Sequence, residues 1–435
     1  MNLISHQINS LTGEVICPGD KSISQRILII GFLINSKMMV KGFLDAEDPN
    51  STLMALNGMG AAIKKDNGLI YLNKRDEIFK TPIENLNLGN SGTGMRLILG
   101  LISGLGINAT LVGDKSLTNR PMSRVINPLK AMGAEIESND GMAPLKVLGA
   151  NICNNFEYEM PIASAQVKSC LMIAALASNN AISIKEPKTT RDHTERMIEY
   201  FKGDIKYRDI ENKGLITLNN KNLISRESYD IVGDFSSASF IIVAALISPE
   251  SEVTIKNVGL NPTRNGLLKV LALMGAELDI KNVKSICNEK SGDILVKSSN
   301  LNGIDIPEDI IPNIIDEIPI LSIAAAFAEG TTNIRNAAEL RVKESDRINA
   351  LAAGLKKLEI NHEVYDDGFS ITGTNSFIDV NEEIDSFDDH RIAMSFLIAG
   401  IRSKNGIRVK DCKNIETSFP NFKDIMNSLG MMINE

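Results

Sequence analysis

The chain has 435 residues, 43% hydrophobic and 23% charged, and a formal net charge of −8. That length and composition fit two or three folded domains with sizeable cores. An acidic chain without Trp lacks the basic face and stacking platforms of a nucleic-acid binder, and no apolar run approaches the ~20 residues a membrane span needs.

The first residues, "MNLISHQINSLTGEV", lack the basic start and long apolar stretch of a secretory leader. The cysteines, Cys17, Cys153, Cys170, Cys287 and Cys412, are scattered, with neither C-x-x-C spacing nor a disulfide framework. A cytoplasmic, reducing home and no metal are expected.

In chain order, predicted helices come in pairs. The first pair is "PGDKSISQRILII" and "ALNGMGAAIKK", the second "GNSGTGMRLILGL" and "PLKAMGAEIES", the third "SAQVKSCLMIAAL" and "MIEYFKGDIKY". The fourth is "GDFSSASFIIVAAL" and "VLALMGAELDI", the fifth "DEIPILSIAAAF" and "LKKLEINHEVY", the sixth "DDHRIAMSFLIAG" and "IMNSLGMMINE". The first member of each pair opens on Gly, Ser, Asp or Asn, the residue types that cap helix starts, and runs into an apolar, mostly buried helix. The second member ends at a Gly suited to a left-handed helix stop; the fifth has Glu359 there instead. Strand-like pieces such as "GLIYLN", "ATLVGD", "AISIKE", "EVTIKNV" and "TTNIRNA" fill the gaps. The pairs recur every ~70 to 85 residues. Six such units make an α/β protein, and size divides them three and three, because six exceed one core.

A helix start presents unbonded N–H groups and attracts anions. The stretch "LGNSGTGMRLI" resembles a phosphate loop but lacks the lysine of the nucleotide-binding G-x-x-x-x-G-K-[ST] pattern. Charged and polar residues gather at the other starts: Lys21, Ser22 and Arg26 in the first, Ser164, Gln166 and Lys168 in the third, Asp316 and Glu317 in the fifth, His390 and Arg391 in the sixth. The fourth has hydroxyls and no cation. Three further basic clusters carry Arg120 and Arg124, Arg191 and Arg196, and Arg341, Lys343 and Arg347. If helical, Lys343 and Arg347 share one face. In an acidic protein this concentration of cations suits small, multiply charged anions.

The segments "PGDKSISQR", "LGNSGTGMR", "TNRPM", "SAQVKS", "TRDHTERM", "IIDEIPILSIAAAFAEG", "ELRVKESDRI" and "DDHRIAMSF" run in order along nearly the whole chain. Together they resemble the 5-enolpyruvylshikimate-3-phosphate synthase family. The resemblance implies the two-lobed enolpyruvyl transferase fold, six βαβαββ-type units arranged three per lobe as an inside-out α/β barrel. It implies lobes of residues 1–18 plus 233–435 and 19–232, with the active site in the cleft between them. It also implies transfer of the carboxyvinyl group of phosphoenolpyruvate to the 5-hydroxyl of shikimate 3-phosphate, through a tetrahedral intermediate, with no metal or organic cofactor. A monomer is the family habit. At roughly −1.5 to −2 per phosphate, the two substrates bring about −5 to −6 of charge, which gives the cations their purpose.

By the same resemblance Lys21, Ser22, Arg26, Ser164, Ala165, Gln166, Arg191, Asp316 and Lys343 bind shikimate 3-phosphate. Lys21, Asn90, Gly92, Arg120, Gln166, Arg347, His390 and Arg391 bind phosphoenolpyruvate. Asp316 is the expected base, while Glu344 and Lys21 are alternative proton donors to the phosphoenolpyruvate methylene. His193 is expected to be structural. The chain departs from the family pattern at Asp20 (usually Ser), at Ala165 (Ser in another branch) and at Thr417, where many members carry Lys; Lys413 is not at the matched position. Gly92 matches the usual small residue near the phosphoenolpyruvate phosphate, so glyphosate binding is expected. The sister transferase acting on UDP-N-acetylglucosamine is the rival reading; it normally carries a loop cysteine, and "GDKSLTNRPMSR" has none. A non-catalytic anion binder would have no need of Asp316 and Glu344.

Overall fold

The computed structural model describes residues 1–77, 79–210, 213–219, 222–374, 376–379 and 383–435. Six apolar helices form its framework: Lys21–Ile34, Gly92–Leu105, Ala165–Ser178, Phe235–Ile247, Ile318–Ala326 and His390–Ala399. Five begin at a side chain that accepts a hydrogen bond from an amide of the first turn, namely Asp20, Ser91, Ser164, Asp234 and Asp389. The remaining helix begins at Glu317 with a proline in its first turn, where a missing N–H costs nothing. Every residue of Phe235–Ile247 is buried. A helix apolar on all sides can only sit inside a protein core.

The chain separates into two compact units. The first unit comprises Met1–Pro18, Val232–Ser285 and Lys290–Glu435, and the second Gly19–Ile231 and Ile286–Glu289. Val232 thus joins the first unit, one residue earlier than the expected boundary. Ile231 N–H still donates to the Lys41 carbonyl, and Gly233 N–H already donates to Asn257. The turn Ile286–Glu289 goes with the second unit, where Glu289 Oε1 lies 2.7 Å from His193 Nδ1.

Among the described residues each unit holds three small sheets, and five of the six share one plan: two parallel strands, then two antiparallel ones. Strand Ala109–Val112, for example, pairs in parallel with Leu86–Asn87 and antiparallel with Met142–Ala150, which pairs with Ala134–Asn139. Three sheets are completed by strands from far away in sequence. Ser228–Asp230 supplies the parallel neighbour of Met38–Lys41, and Thr12–Ile16 that of Glu252–Gly259. Leu3–Ser5 lies between Ile407–Lys410 and Ile433–Asn434. In the fifth sheet the first strand shrinks to one parallel bridge, Asp305 to Asn333.

The framework helices pack on one another inside their own unit. Gly92–Leu105 and Ala165–Ser178 approach so closely that a Cβ at Gly100 would stand 2.3 Å from the Cys170 carbonyl oxygen, and one at Gly104 2.4 Å from that of Ala174. The outer helices end as the sequence predicts, in a left-handed residue at Gly60, Gly133, Gly275 and Gly430. The third ends on Lys202 (φ 62°) rather than Gly203, and the fifth on Glu359 (φ 56°). The motif therefore persists where the glycine is missing. Among the described residues, no helix is long and apolar enough to cross a membrane.

Candidate active site

In the second unit, Asp20 folds back so that its Oδ1 accepts from Ile23 N–H at 2.8 Å. The acid beside Lys21 is thus a helix cap. Lys21 Nζ instead meets Asp48 Oδ2 at 2.9 Å, from the first turn of helix Glu47–Gly58. Gln25, fully buried one turn further on, donates to Ser91 Oγ (2.5 Å), Thr52 Oγ1 (3.1 Å) and the Asp48 carbonyl (3.3 Å). Ser91 also caps the second framework helix through Gly94 N–H at 3.0 Å. Lys21 and the glycine loop are therefore braced by one buried amide.

Around that loop, Arg120 donates to both the side-chain oxygen and the carbonyl of Asn90, and Asn90 Nδ2 donates to Asp114 at 2.7 Å. Arg96 Nη1 donates to Gln166 Oε1 at 2.8 Å, and Gln166 Nε2 to Thr93 Oγ1 at 2.9 Å. A Cβ at Gly92 would lie 3.0 Å from Arg96 Nη1 and 3.1 Å from Arg120 Nη1. The missing loop lysine is replaced by two guanidinium groups over a glycine.

Buried Arg26 donates to Thr194 Oγ1 (2.8 Å), Ser169 Oγ (3.1 Å) and the Ser22 carbonyl (3.1 Å). Ser164 caps the third framework helix and Ala165 begins it. Arg191 is half-buried in the loop before helix His193–Tyr200. Arg196 is held by Asp192 (2.8 Å) and the Asn288 carbonyl (3.1 Å), a scaffold role. His193 is buried against Glu289, also a scaffold role.

In the first unit, acid and base groups converge. Asp316 Oδ1 lies 3.4 Å from Lys343 Nζ and 3.5 Å from Arg347 Nη1. Lys343 and Arg347 do not share a helix face, however. A 3₁₀ turn, Ala338–Val342, ends at Lys343, and Asp346 caps a new helix that begins at Arg347. Arg347 is fully buried; its Nη2 meets Glu344 Oε2 at 2.6 Å and its Nε meets Asp389 Oδ2 at 2.8 Å. Burial alone would weaken its charge, but Asp389, Glu344 and Asp316 hold its pKa above the ordinary value. Arg391, next to buried His390, donates to the Asp316 carbonyl (2.7 Å) and Ser236 Oγ (3.1 Å).

The fourth helix start, without a cation in its own sequence, receives Arg264. Its Nη2 donates to Asp234 Oδ1 (3.2 Å) and Ser236 Oγ (2.7 Å). Ser236 in turn donates to buried Glu317. Arg341 is engaged by Asp346 and two carbonyls. Thr417 is buried, its hydroxyl donating to the Asn414 carbonyl at 2.7 Å, while Lys413 is exposed. The sequence reading passed over Asp48, Arg96, Gln25 and Arg264. Arg96 had a signal, since it lies one helical turn after Gly92.

Comparison with known proteins bears on the family and the fold. The family model described as EPSP synthase (3-phosphoshikimate 1-carboxyvinyltransferase) matches residues 5–426. A 3-phosphoshikimate 1-carboxyvinyltransferase of Vesicomyosocius okutanii is 45% identical, covering 98% of this chain and 97% of that protein. EPSP synthase from Acinetobacter baumannii superposes with a TM-score of 0.86 at 39% identity, all of both chains covered. The enolpyruvyl transferase NikO from Streptomyces tendae shares the fold, with a TM-score of 0.76 at 15% identity, covering 100% of this chain and 98% of that one. Carrying this fold and matching its family's sequence from residue 5 to residue 426, the chain belongs to the EPSP synthase family, the 3-phosphoshikimate 1-carboxyvinyltransferases.

Proposed function

We propose that the chain performs its family's reaction, carboxyvinyl transfer from phosphoenolpyruvate to the 5-hydroxyl of shikimate 3-phosphate with release of phosphate. Asp316 takes the hydroxyl proton. Lys343 and Arg347, within 3.5 Å of its carboxylate, stabilise negative charge there, and Arg391 fixes its backbone. That convergence is the observation that carries the reading. Glu344 or Lys21 delivers a proton to the methylene carbon, giving the tetrahedral intermediate; the same group then takes a proton back from the resulting methyl as the C–O bond to phosphate breaks, which restores the carbon–carbon double bond. Arg120, Arg347, Arg391, Asn90, Gly92, Gln166 and His390 receive phosphoenolpyruvate and then stabilise the departing phosphate. Lys21, Ser22, Arg26, Ser164, Ala165, Gln166, Arg191 and Lys343 receive shikimate 3-phosphate. Arginine serves both anions because its planar fork offers two parallel donors.

The test is phosphate release from the two substrates. Asp316→Ala should lower turnover by about 10²–10⁴-fold while shikimate 3-phosphate binding persists. Wild-type-like turnover in that variant would remove Asp316 from the role of base. Glyphosate, carrying a phosphonate and a carboxylate, should raise the apparent KM for phosphoenolpyruvate; unchanged turnover at saturating glyphosate and limiting phosphoenolpyruvate would reject that part. The same proposal makes the enzyme a cytoplasmic monomer without metal, organic cofactor or nucleic-acid partner. Its acidic charge supports the last of these.

A further inference from the structure

Lys168 is 1% exposed, inside the third framework helix, one turn after Ser164. Its Nζ meets Glu195 Oε1 at 2.7 Å, Glu186 Oε2 at 3.1 Å and the Thr190 carbonyl at 3.5 Å. Glu186, with no exposure at the end of strand Ile182–Glu186, also accepts from Thr190 Oγ1 (2.7 Å) and Thr190 N–H (3.3 Å). Burying an ammonium between two carboxyl groups is expensive, and burial pushes the Glu195 carboxyl up from its ordinary value; a well-packed apolar cluster of similar volume would serve stability as well or better. A purely structural account therefore explains this cluster poorly.

Its placement explains it better. The cluster ties three separate pieces of chain together: the helix start bearing Ser164, Ala165 and Gln166, the end of strand Ile182–Glu186, and the first turn of helix His193–Tyr200. Loop 187–192 spans the last two, and Arg191 follows directly on Thr190. Beside the cluster, Ser169 just after Lys168 and Thr194 just before Glu195 bond to one another at 2.7 Å and both hold Arg26. One network thus holds Arg26 and the other holds Thr190, in the loop carrying Arg191. Burial opposes the Lys168 charge, yet Glu195 and Glu186 keep it above its ordinary value, so the ammonium persists through the neutral range.

We propose that Lys168, with Glu186 and Glu195, is a positioning residue for shikimate 3-phosphate. It fixes the Arg191 loop at one separation from the Ser164 cap and Arg26, so that their donors meet the ligand without further ordering, while Gln166 is held separately by Arg96 and Thr93. This rests on the assignment of Arg191 and Arg26 to that substrate. Preorganised donors bind more tightly because less freedom is lost on binding.

The experiment compares four proteins in the phosphate-release assay: wild type, Lys168→Met with Glu195→Gln, Lys168→Arg, and Arg191→Ala. The double variant keeps the side-chain volumes and the net charge of the cluster, since one positive and one negative charge go together. Glu186 retains its two Thr190 donors, so folding is expected and is checked by urea titration. The proposal expects the shikimate 3-phosphate KM to rise tenfold or more in the double variant, with phosphoenolpyruvate KM and kcat within about twofold of wild type, and Lys168→Arg to recover most of the loss. Equal losses in both KM values, or in kcat alone, would make the cluster merely structural and overturn the proposal. So would an unchanged shikimate 3-phosphate KM in a folded double variant when Arg191→Ala does raise it. If Arg191→Ala leaves that KM unchanged, the Arg191 assignment itself fails, and this inference falls with it.

Discussion

Gly92 shows how little room one atom can have. A methyl group there would press on flexible guanidinium ends at 3.0 and 3.1 Å rather than on backbone, so the fold should tolerate it and the two arginines should shift. Gly92→Ala is therefore expected to raise the phosphoenolpyruvate KM several-fold, leave shikimate 3-phosphate KM nearly unchanged, and cost less than about 1 kcal/mol of stability. Steady-state kinetics and a urea titration check both halves. Gly94 differs: its Cβ would lie 2.7 Å from both Ser91 Oγ and Thr52 Oγ1, inside the buried Gln25 network, so Gly94→Ala should lower both stability and turnover. The candidate groups were visible in the sequence because charge in an acidic chain is conspicuous at helix starts. Their supports were not. Asp48 and Arg264 look like ordinary surface residues until the fold brings Asp48 to Lys21 and Arg264 to Asp234, and neither pairing has a local sequence signature.

Helix ends carry a second prediction. Lys202 and Glu359 are exposed and occupy the left-handed position that glycine fills in the four sister helices. A side chain in that conformation costs ~1–2 kcal/mol, against ~0.5–1 kcal/mol for the extra freedom glycine loses on folding. Glu359→Gly and Lys202→Gly should therefore each stabilise by roughly 0.5–1 kcal/mol without altering kinetics, read as a shift of the urea midpoint at unchanged slope. Helix pairs and their stops were legible because caps, apolar runs and terminal glycines are local signals. The completing strands were not. Ser228–Asp230, Thr12–Ile16 and Leu3–Ser5 are three to five residues long, and such short segments do not specify a partner hundreds of residues away. The split of "ELRVKESDR" into a 3₁₀ turn and a new helix was missed for a related reason: Asp346 is an N-cap in the middle of a segment that otherwise reads as continuous.

For the molecule as a whole, acid is the expected weakness. Asp45 is held below the usual 3.8 first by the Asn50 amide and then by Lys65, Asp293 by the Asn282 amide and Asn257 N–H, and Asp367 by Asn336 N–H and Arg335. A carboxylate depressed in the folded state binds protons more readily once unfolded, so its contribution is complete above 3.8 and is lost as pH falls through the folded value. Asp45 lies in the second unit, Asp293 and Asp367 in the first, so urea midpoints should hold between pH 7 and 5 and drop in both units below pH 4. Thiol chemistry offers a second whole-chain check. Cys153 is exposed, whereas burial pushes Cys170 up to about 12 and Cys412 up to about 11. A maleimide at neutral pH should label Cys153 first and reach Cys170 and Cys412 only on unfolding. Finally, three of the six framework helices start on an aspartate, Asp20, Asp234 and Asp389. Each carboxylate already opposes the dipole of its helix, so little attraction for an anion survives there from the peptide backbone. At these three starts the pull on phosphate and carboxylate must come from ammonium and guanidinium side chains, a point-charge attraction that mobile counter-ions weaken over ~10 Å at 0.1 M salt. Rising ionic strength should therefore loosen both substrates together while leaving the rate at saturation almost untouched.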